Sequence, residues 1–322
     1  MTGPTILVTR FGALGDVILT TPLLRAIGRT HPDARITYVT KRAYAPLLER
    51  DPHVARVVAL EPGETVRSLA RRLGRRWDHR IDLHGSLRSK ALQLVLGGRW
   101  GTWSKRRGRR ALTVWLGVPP PARPIPVAER YFEAARALGV APDDAPAAAY
   151  PTPGDDARAA ALTEGARGYV ALCPGAQHWN KRWPPAHWRA LAHLLMEAGE
   201  AVVGIGTPEE RLLLDTPGVL DAFGTDLPTA AALLRDARVT VANDSGLMHL
   251  ATAMRTPVVA LFGPTSPALG YAPYRNTGRV LERALPCRPC SAIGGPLCPM
   301  RHHRCMIEIG PADVAAAVRS FA

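Results

Sequence analysis

Three short stretches hold the residue types that could do chemistry. The first is Ala242-Asn243-Asp244-Ser245-Gly246-Leu247-Met248-His249, which reads as the end of a strand, a polar turn and the start of a helix. Backbone N–H groups at a helix start lack an intrahelical acceptor and favour an anion. Asp244, Ser245 and Gly246 stand at that point, and His249 follows one turn into the helix. The turn suits a phosphate-bearing ligand, while a capped helix with a partly buried histidine accounts for the same residues. The second stretch is Arg10-Phe11-Gly12-Ala13-Leu14-Gly15-Asp16. Asp16 there is either an N-cap or a proton-accepting carboxylate kept ionised by the helix dipole. The third runs from Pro174-Gly175-Ala176 to Lys181-Arg182-Trp183-Pro184. Cations in such a loop can hold a diphosphate and offset charge on a leaving group. The alternative is a surface loop entering a helix, with Trp183 and Trp188 packing inward. No GxxxxGK[ST] phosphate loop occurs, and the glycines of the second stretch fall short of a dinucleotide fingerprint.

Positioning these turns requires strands and helices in alternation. Strand-like runs are expected at 5–9, 35–40, 57–60, 80–83, 169–173, 201–205, 239–242 and 258–262. Helical patterns are expected at 17–29, 66–76, 128–138, 186–198 and 229–235. Such alternation points to an α/β protein with parallel sheets covered on both faces. Residues 141–156 are rich in Ala, Pro and Asp and read as a linker. Two doubly wound, Rossmann-like domains, 1–150 and 151–322, are expected to face each other across a cleft. The expectation leaves room for the last helix to pack back on the first domain.

Composition narrows the class. Across 322 residues, 47% are hydrophobic and 21% charged, as in ordinary globular proteins. No apolar run approaches the roughly 20 residues needed to span a bilayer. The chain enters a strand almost at once, with no secretory leader pattern, so the cytoplasm is the expected location. The net charge is +14. Between Arg67 and Arg110 lie twelve Arg and two Lys against Asp78 and Asp82, so one segment supplies most of it. Such a concentration favours an anionic partner, although a solvated basic face would look the same.

Taken together, the stretches 11–25, Pro174-Gly175-Ala176 with Lys181-Arg182-Trp183-Pro184, 243–251 and Phe262-Gly263-Pro264-Thr265 resemble the ADP-heptose:lipopolysaccharide heptosyltransferases. The resemblance covers almost the whole chain. It implies a GT-B fold, an N-terminal acceptor domain and a C-terminal nucleotide-sugar domain. It implies Asp16 as general base and Lys181 as the diphosphate contact. It implies Gly175, Ala176, Arg182, Asp244, Ser245, Gly246 and His249 as the surroundings of the nucleotide-sugar. A ribose-binding glutamate is implied within Gly206-Thr207-Pro208-Glu209-Glu210, with the choice between Glu209 and Glu210 open. The implied reaction moves a heptose with inversion from ADP-heptose to a lipopolysaccharide-like acceptor, without a catalytic cofactor. Gly15, Arg88 and Lys90 are the acceptor-side candidates. An anionic glycolipid at the inner membrane face would explain the basic segment. The alternatives are an epimerase or transferase using another nucleotide-sugar, or a basic nucleic-acid-binding metalloprotein. Against the last, the basic segment carries no recognised nucleic-acid-reading motif.

Four of the five cysteines form Cys287-x2-Cys290-x7-Cys298-x6-Cys305. In the cytoplasm disulfides are disfavoured. A structural Zn²⁺ or iron–sulfur cluster is expected at this set, with reduced thiols and disulfides as the alternatives. Cys173 stands apart and reads as a small buried residue.

Overall fold

The computed structural model describes residues 3–116, 118–119 and 123–321, and the side chain of Arg107 also lies outside the described residues. The chain divides into two units. One is Met1–Lys105 with Val127–Tyr150, the other Arg106–Pro126 with Pro151–Ala322. The segment 106–126 was expected in the first domain and instead belongs to the second unit. Within that unit Arg110 Nη2 donates to the Leu269 carbonyl at 2.9 Å, and its guanidinium lies 5.0 Å from the Tyr271 ring centre.

The first unit is built on a parallel sheet of β1 (Thr5–Thr9), β2 (Arg35–Lys41), β3 (Arg56–Leu60), β4 (His79–Asp82) and β5 (Gly101–Thr102). Their order is β3-β2-β1-β4-β5. The runs Ile6-Leu7-Val8 and Ile36–Thr40 are buried along their length, which explains why they read as near-continuous apolar strands rather than alternating ones. The expected helix 17–29 is two helices, Leu14–Ile18 and Thr21–Thr30. Pro22 lacks an N–H and its ring crowds the carbonyl four residues back, so a continuous helix cannot pass through it. The Thr20 and Thr21 hydroxyls donate to the Val17 and Ile18 carbonyls at 2.7 and 2.9 Å and satisfy the broken end.

The second unit carries a six-stranded parallel sheet: β6 (Val170–Cys173), β7 (Val202–Gly204), β8 (Leu220–Asp221), β9 (Val239–Asn243), β10 (Val258–Phe262) and β11 (Arg279–Glu282). The order is β11-β10-β9-β6-β7-β8. Helix Pro153–Leu162 begins inside the expected linker, capped by Thr152 and Asp155. The last helix, Pro311–Arg319, lies within the second unit. Its Val314 and Val318 join Leu191, Leu195, Trp183 and Trp188 in the core of the second unit. An apolar stripe on Pro185–Glu197 is the complement that draws it there.

In both sheets the chain first steps outward one way and then returns to step outward the other way. The reversal falls between β1 and β4 in the first sheet and between β6 and β9 in the second. Loops leaving the carboxyl ends of strands at such a switch point diverge and leave room for a ligand. Among the described residues no helix is long and apolar enough to cross a membrane.

Candidate functional site

In the first unit the switch-point loops follow β1 and β4. Asp16 lies in the first turn of helix Leu14–Ile18, whose N-cap is Ala13. The aspartate therefore does not cap its helix, and its carboxylate is turned to other partners. Asp16 Oδ1 accepts from the Tyr131 hydroxyl at 3.1 Å, and Oδ2 pairs with Arg10. The Arg10 side chain is buried, donates from Nη1 to the Leu83 carbonyl, and stands 5.7 Å from the Tyr131 ring centre. Asp16 keeps 17% of its side-chain surface open to solvent. It is thus a carboxylate held in orientation by two partners with part of its surface open, which suits a base. Gly15 beside it is buried.

His84, which the sequence reading missed, stands just after β4. Its ring centre is 5.3 Å from that of Phe11. Burial, followed by the charges of Arg10 and Lys105, pushes its pKa down to about 4, so the ring is neutral at neutral pH. Its Nδ1 is buried without a hydrogen-bond partner among the described residues. Its position at a strand's carboxyl end beside the switch point is the signal that could have found it. Arg88 and Lys90 occupy the start of helix Leu87–Leu96 and are exposed. Neither makes an ion pair among the described residues.

In the second unit the loops follow β6 and β9. Lys181 ends a short 3-10 turn, Trp179–Lys181, and its Nζ lies 2.7 Å from Asp244 Oδ2. The two side chains, sixty-three positions apart in sequence, are 14% and 7% exposed. Thr265 Oγ1 donates to the same Asp244 oxygen at 2.6 Å. Asn243, fully buried, links the two loops. Its Nδ2 donates to the Pro174 carbonyl at 2.8 Å and its Oδ1 accepts from Trp183 N at 3.1 Å. Arg182 Nε donates to the Ala176 carbonyl at 2.9 Å. Ser245 is the N-cap of helix Gly246–Ala253, yet its hydroxyl caps nothing and is buried without a partner among the described residues. A donor left over at a helix start that already offers free N–H groups suits an anion. His249 is buried, with its ring centre 6.5 Å from that of Tyr271.

The two glutamates after β7 separate clearly. Glu209 is exposed on the 3-10 turn Pro208–Leu213. Glu210 turns inward, and its Oε2 accepts from Thr207 N at 2.9 Å. A Cβ on Gly175 would stand 2.0 Å from the Glu210 carboxylate, and one on Gly206 2.7 Å. Gly175 is therefore a close-approach glycine, and Glu210 is the glutamate that faces the Lys181 loop.

Among the described residues no group of three or more His, Cys, Asp or Glu side chains could hold a metal ion. In this arrangement Cys287, Cys290, Cys298 and Cys305 are not gathered around one point. Cys298 and Cys305 are drawn into the apolar interior, whereas Cys287 and Cys290 are half-buried. Cys287 Sγ lies 3.8 Å from His302 Nε2. Burial raises the Cys305 thiol to about 11, with the neighbouring cysteines adding to the effect. The loop serves the Lys181 and Asp244 turns by other means. Arg288 donates to the carbonyls of Phe262, Gly263 and Thr265 and pairs with Glu282. Asn180 Oδ1 accepts from Gly295 N at 2.8 Å, and its carbonyl lies 2.9 Å from His303 Nε2.

Residues 66–299 match glycosyltransferase family 9 (heptosyltransferase). The chain belongs to this family. Lipooligosaccharide heptosyltransferase 2 of Haemophilus ducreyi is 30% identical, over 92% of this chain and 93% of that protein. Lipopolysaccharide heptosyltransferase 1 of Pseudomonas aeruginosa is 30% identical, over 88% of this chain and 85% of the relative. The solved structure of Escherichia coli ADP-heptose lipopolysaccharide heptosyltransferase II superposes with a TM-score of 0.75 at 26% identity, covering 98% of each chain. As a family 9 glycosyltransferase, the chain has the GT-B pair of parallel-sheet α/β domains. The Asp16 and Lys181–Asp244 arrangements sit on the switch-point loops of its two sheets.

Proposed function

We propose that the protein transfers a heptose from ADP-heptose to a lipopolysaccharide-core acceptor with inversion at the anomeric carbon. The observation that carries the reading is the buried Lys181–Asp244–Thr265 cluster beside the unpartnered Ser245 hydroxyl at a helix start. It supports a diphosphate site, and family membership supports the sugar. Asp16 takes the proton from the acceptor hydroxyl. The freed oxygen bonds to the anomeric carbon as the bond from that carbon to the diphosphate oxygen breaks, and ADP leaves as the anion. Lys181, with Arg182 and the N–H groups at Ser245 and Gly246, stabilises the leaving charge. Gly175 and Ala176 let the nucleotide approach the backbone, and His249 braces the turn. Glu210 replaces Glu209 as the glutamate assigned to the ribose, since it alone faces Gly175. Arg88 and Lys90 meet acidic groups of the acceptor.

The reading places the enzyme at the cytoplasmic face of the inner membrane. A structural Zn²⁺ or iron–sulfur cluster would only staple the loop 287–305. What supports it is four thiols of one loop within mutual electrostatic reach, and it would require the loop to tighten. The reaction itself is tested by incubating protein with ADP-heptose and heptose-deficient core acceptor. Asp16→Asn is expected to lower the turnover by about a hundredfold or more, while the ADP-induced rise in melting temperature stays. Unchanged transfer in Asp16→Asn would remove the carboxylate as base.

A further inference from the structure

Two neighbouring helices of the first unit, Val66–Leu73 and Leu87–Leu96, contain no acidic residue. Their inner sides, with Leu69, Ala70, Leu73, Leu92 and Leu96, share one apolar cluster over the sheet. Their outer sides are cationic. Arg67, Arg71, Arg88 and Lys90 on them, with Arg75 and Arg76 in the loop just after Gly74, are all exposed, and none makes an ion pair or side-chain hydrogen bond among the described residues. On the second helix two leucines protrude with them, Leu87 at 87% and Leu94 at 84% exposure. They are seven positions apart, with Lys90 between them, and so share one face. Arg72 is the exception on the first helix, because Glu64 neutralises it at 2.9 Å.

We infer that this two-helix face docks on an anionic phospholipid bilayer, with Leu87 and Leu94 entering the headgroup region and the cations spread over the lipid phosphates. Cations without acidic partners match a surface of negative charge. Fully exposed leucines among them match an apolar layer just beneath that charge, for which a nucleic acid has no counterpart. The face gives the proposed enzyme a way to meet a lipid-linked acceptor, and to that extent it rests on the proposed function. The binding test contains neither donor nor acceptor, so the two fail separately.

The full chain is floated with vesicles of phosphatidylglycerol and phosphatidylethanolamine, or of phosphatidylcholine alone. Salt is set to about 0.1 M and about 1 M, where charges are felt over about 10 Å and about 3 Å. Binding is expected only to the anionic vesicles and only at the lower salt. Each cation near the surface is worth about fivefold. The variant Arg67→Gln/Arg71→Gln/Arg75→Gln should therefore bind about a hundredfold more weakly. Leu94→Ser should lose about tenfold with its salt dependence unchanged. Both variants should keep wild-type transfer to a soluble, delipidated acceptor. The inference is overturned if the triple variant binds like wild type, if phosphatidylcholine binds equally, or if duplex DNA competes as well as the vesicles.

Discussion

Removing the charge of Asp244 while keeping its shape, by Asp244→Asn, isolates its ion pair with Lys181. At 2.7 Å, two unit charges attract by about 6 kcal/mol at an effective dielectric of about 20. Desolvation of both groups offsets part of this. Lys181 also keeps some access to water, which lowers the penalty for leaving it unpaired. Asp244→Asn is thus expected to cost about 2–4 kcal/mol of unfolding free energy. Lys181→Met should cost less, because the Thr265 hydroxyl still solvates the aspartate. The double variant should recover much of the loss, giving a coupling of about 1–3 kcal/mol. Urea unfolding followed by tryptophan fluorescence measures this directly, since Trp183 and Trp188 lie in the core of the same unit. ADP should stabilise Asp244→Asn more than wild type, because the diphosphate replaces the missing anion. A variant within about 0.5 kcal/mol of wild type, or additive single effects, would refute the argument, because surface-type pairs behave that way.

Two further outcomes follow from groups outside that pair. His84 is neutral when folded down to a pKa of about 4 and charges near 6.5 when unfolded. The unfolded chain therefore binds the extra proton between those values, and stability is full above 6.5 and declines as pH falls toward 4. The decline should be on the order of 1–2 kcal/mol, less than the full shift implies, since part of the ring is open to solvent. Denaturation across this window should show a flatter slope in His84→Gln, and an equal slope would sink the assignment. Metal analysis of anaerobically purified protein should find Zn or iron at about one site per chain if the loop 287–305 is stapled. Finding neither removes the metal.

Long apolar runs were legible because burial on both faces leaves a continuous signal. β1 and β10 fall where the sequence places them, at Thr5–Thr9 and Val258–Phe262. The edge strands Gly101–Thr102 and Leu220–Asp221 were not legible, because two residues paired on one side need no apolar run. Helix 66–76 was read three residues too long, since Gly74 turns the chain at a φ of 71° and ends it. The turns after β1, β6 and β9 were legible because glycine and polar residues after a strand are a local signal. Their partners were not found. That Asp244 meets Lys181, that Arg10 and Tyr131 hold Asp16, and that Glu210 rather than Glu209 turns inward are products of strand order and helix phase. Spacing along the chain does not encode them. The grouping of 106–126 with the second unit was not legible, because Arg110 meets Leu269 and Tyr271, more than 150 positions later in sequence.

The Arg288 guanidinium has a consequence for the order in which the protein becomes competent. The turn from Phe262 to Thr265 is held by a residue more than twenty positions later, and Asn180 is held by Gly295 and His303 more than a hundred positions later. Trp183 also waits for the Ile309 carbonyl, to which its indole donates at 2.9 Å. During synthesis these partners emerge well after the turns they hold. The first sheet can form while they are still on the ribosome, because domains fold as units from the N-terminal side. The Lys181 loop acquires its final shape only after residues 288–309 are released. Nascent chains would therefore complete the surroundings of Asp16 well before the Lys181 and Asp244 turns are held in their final shape.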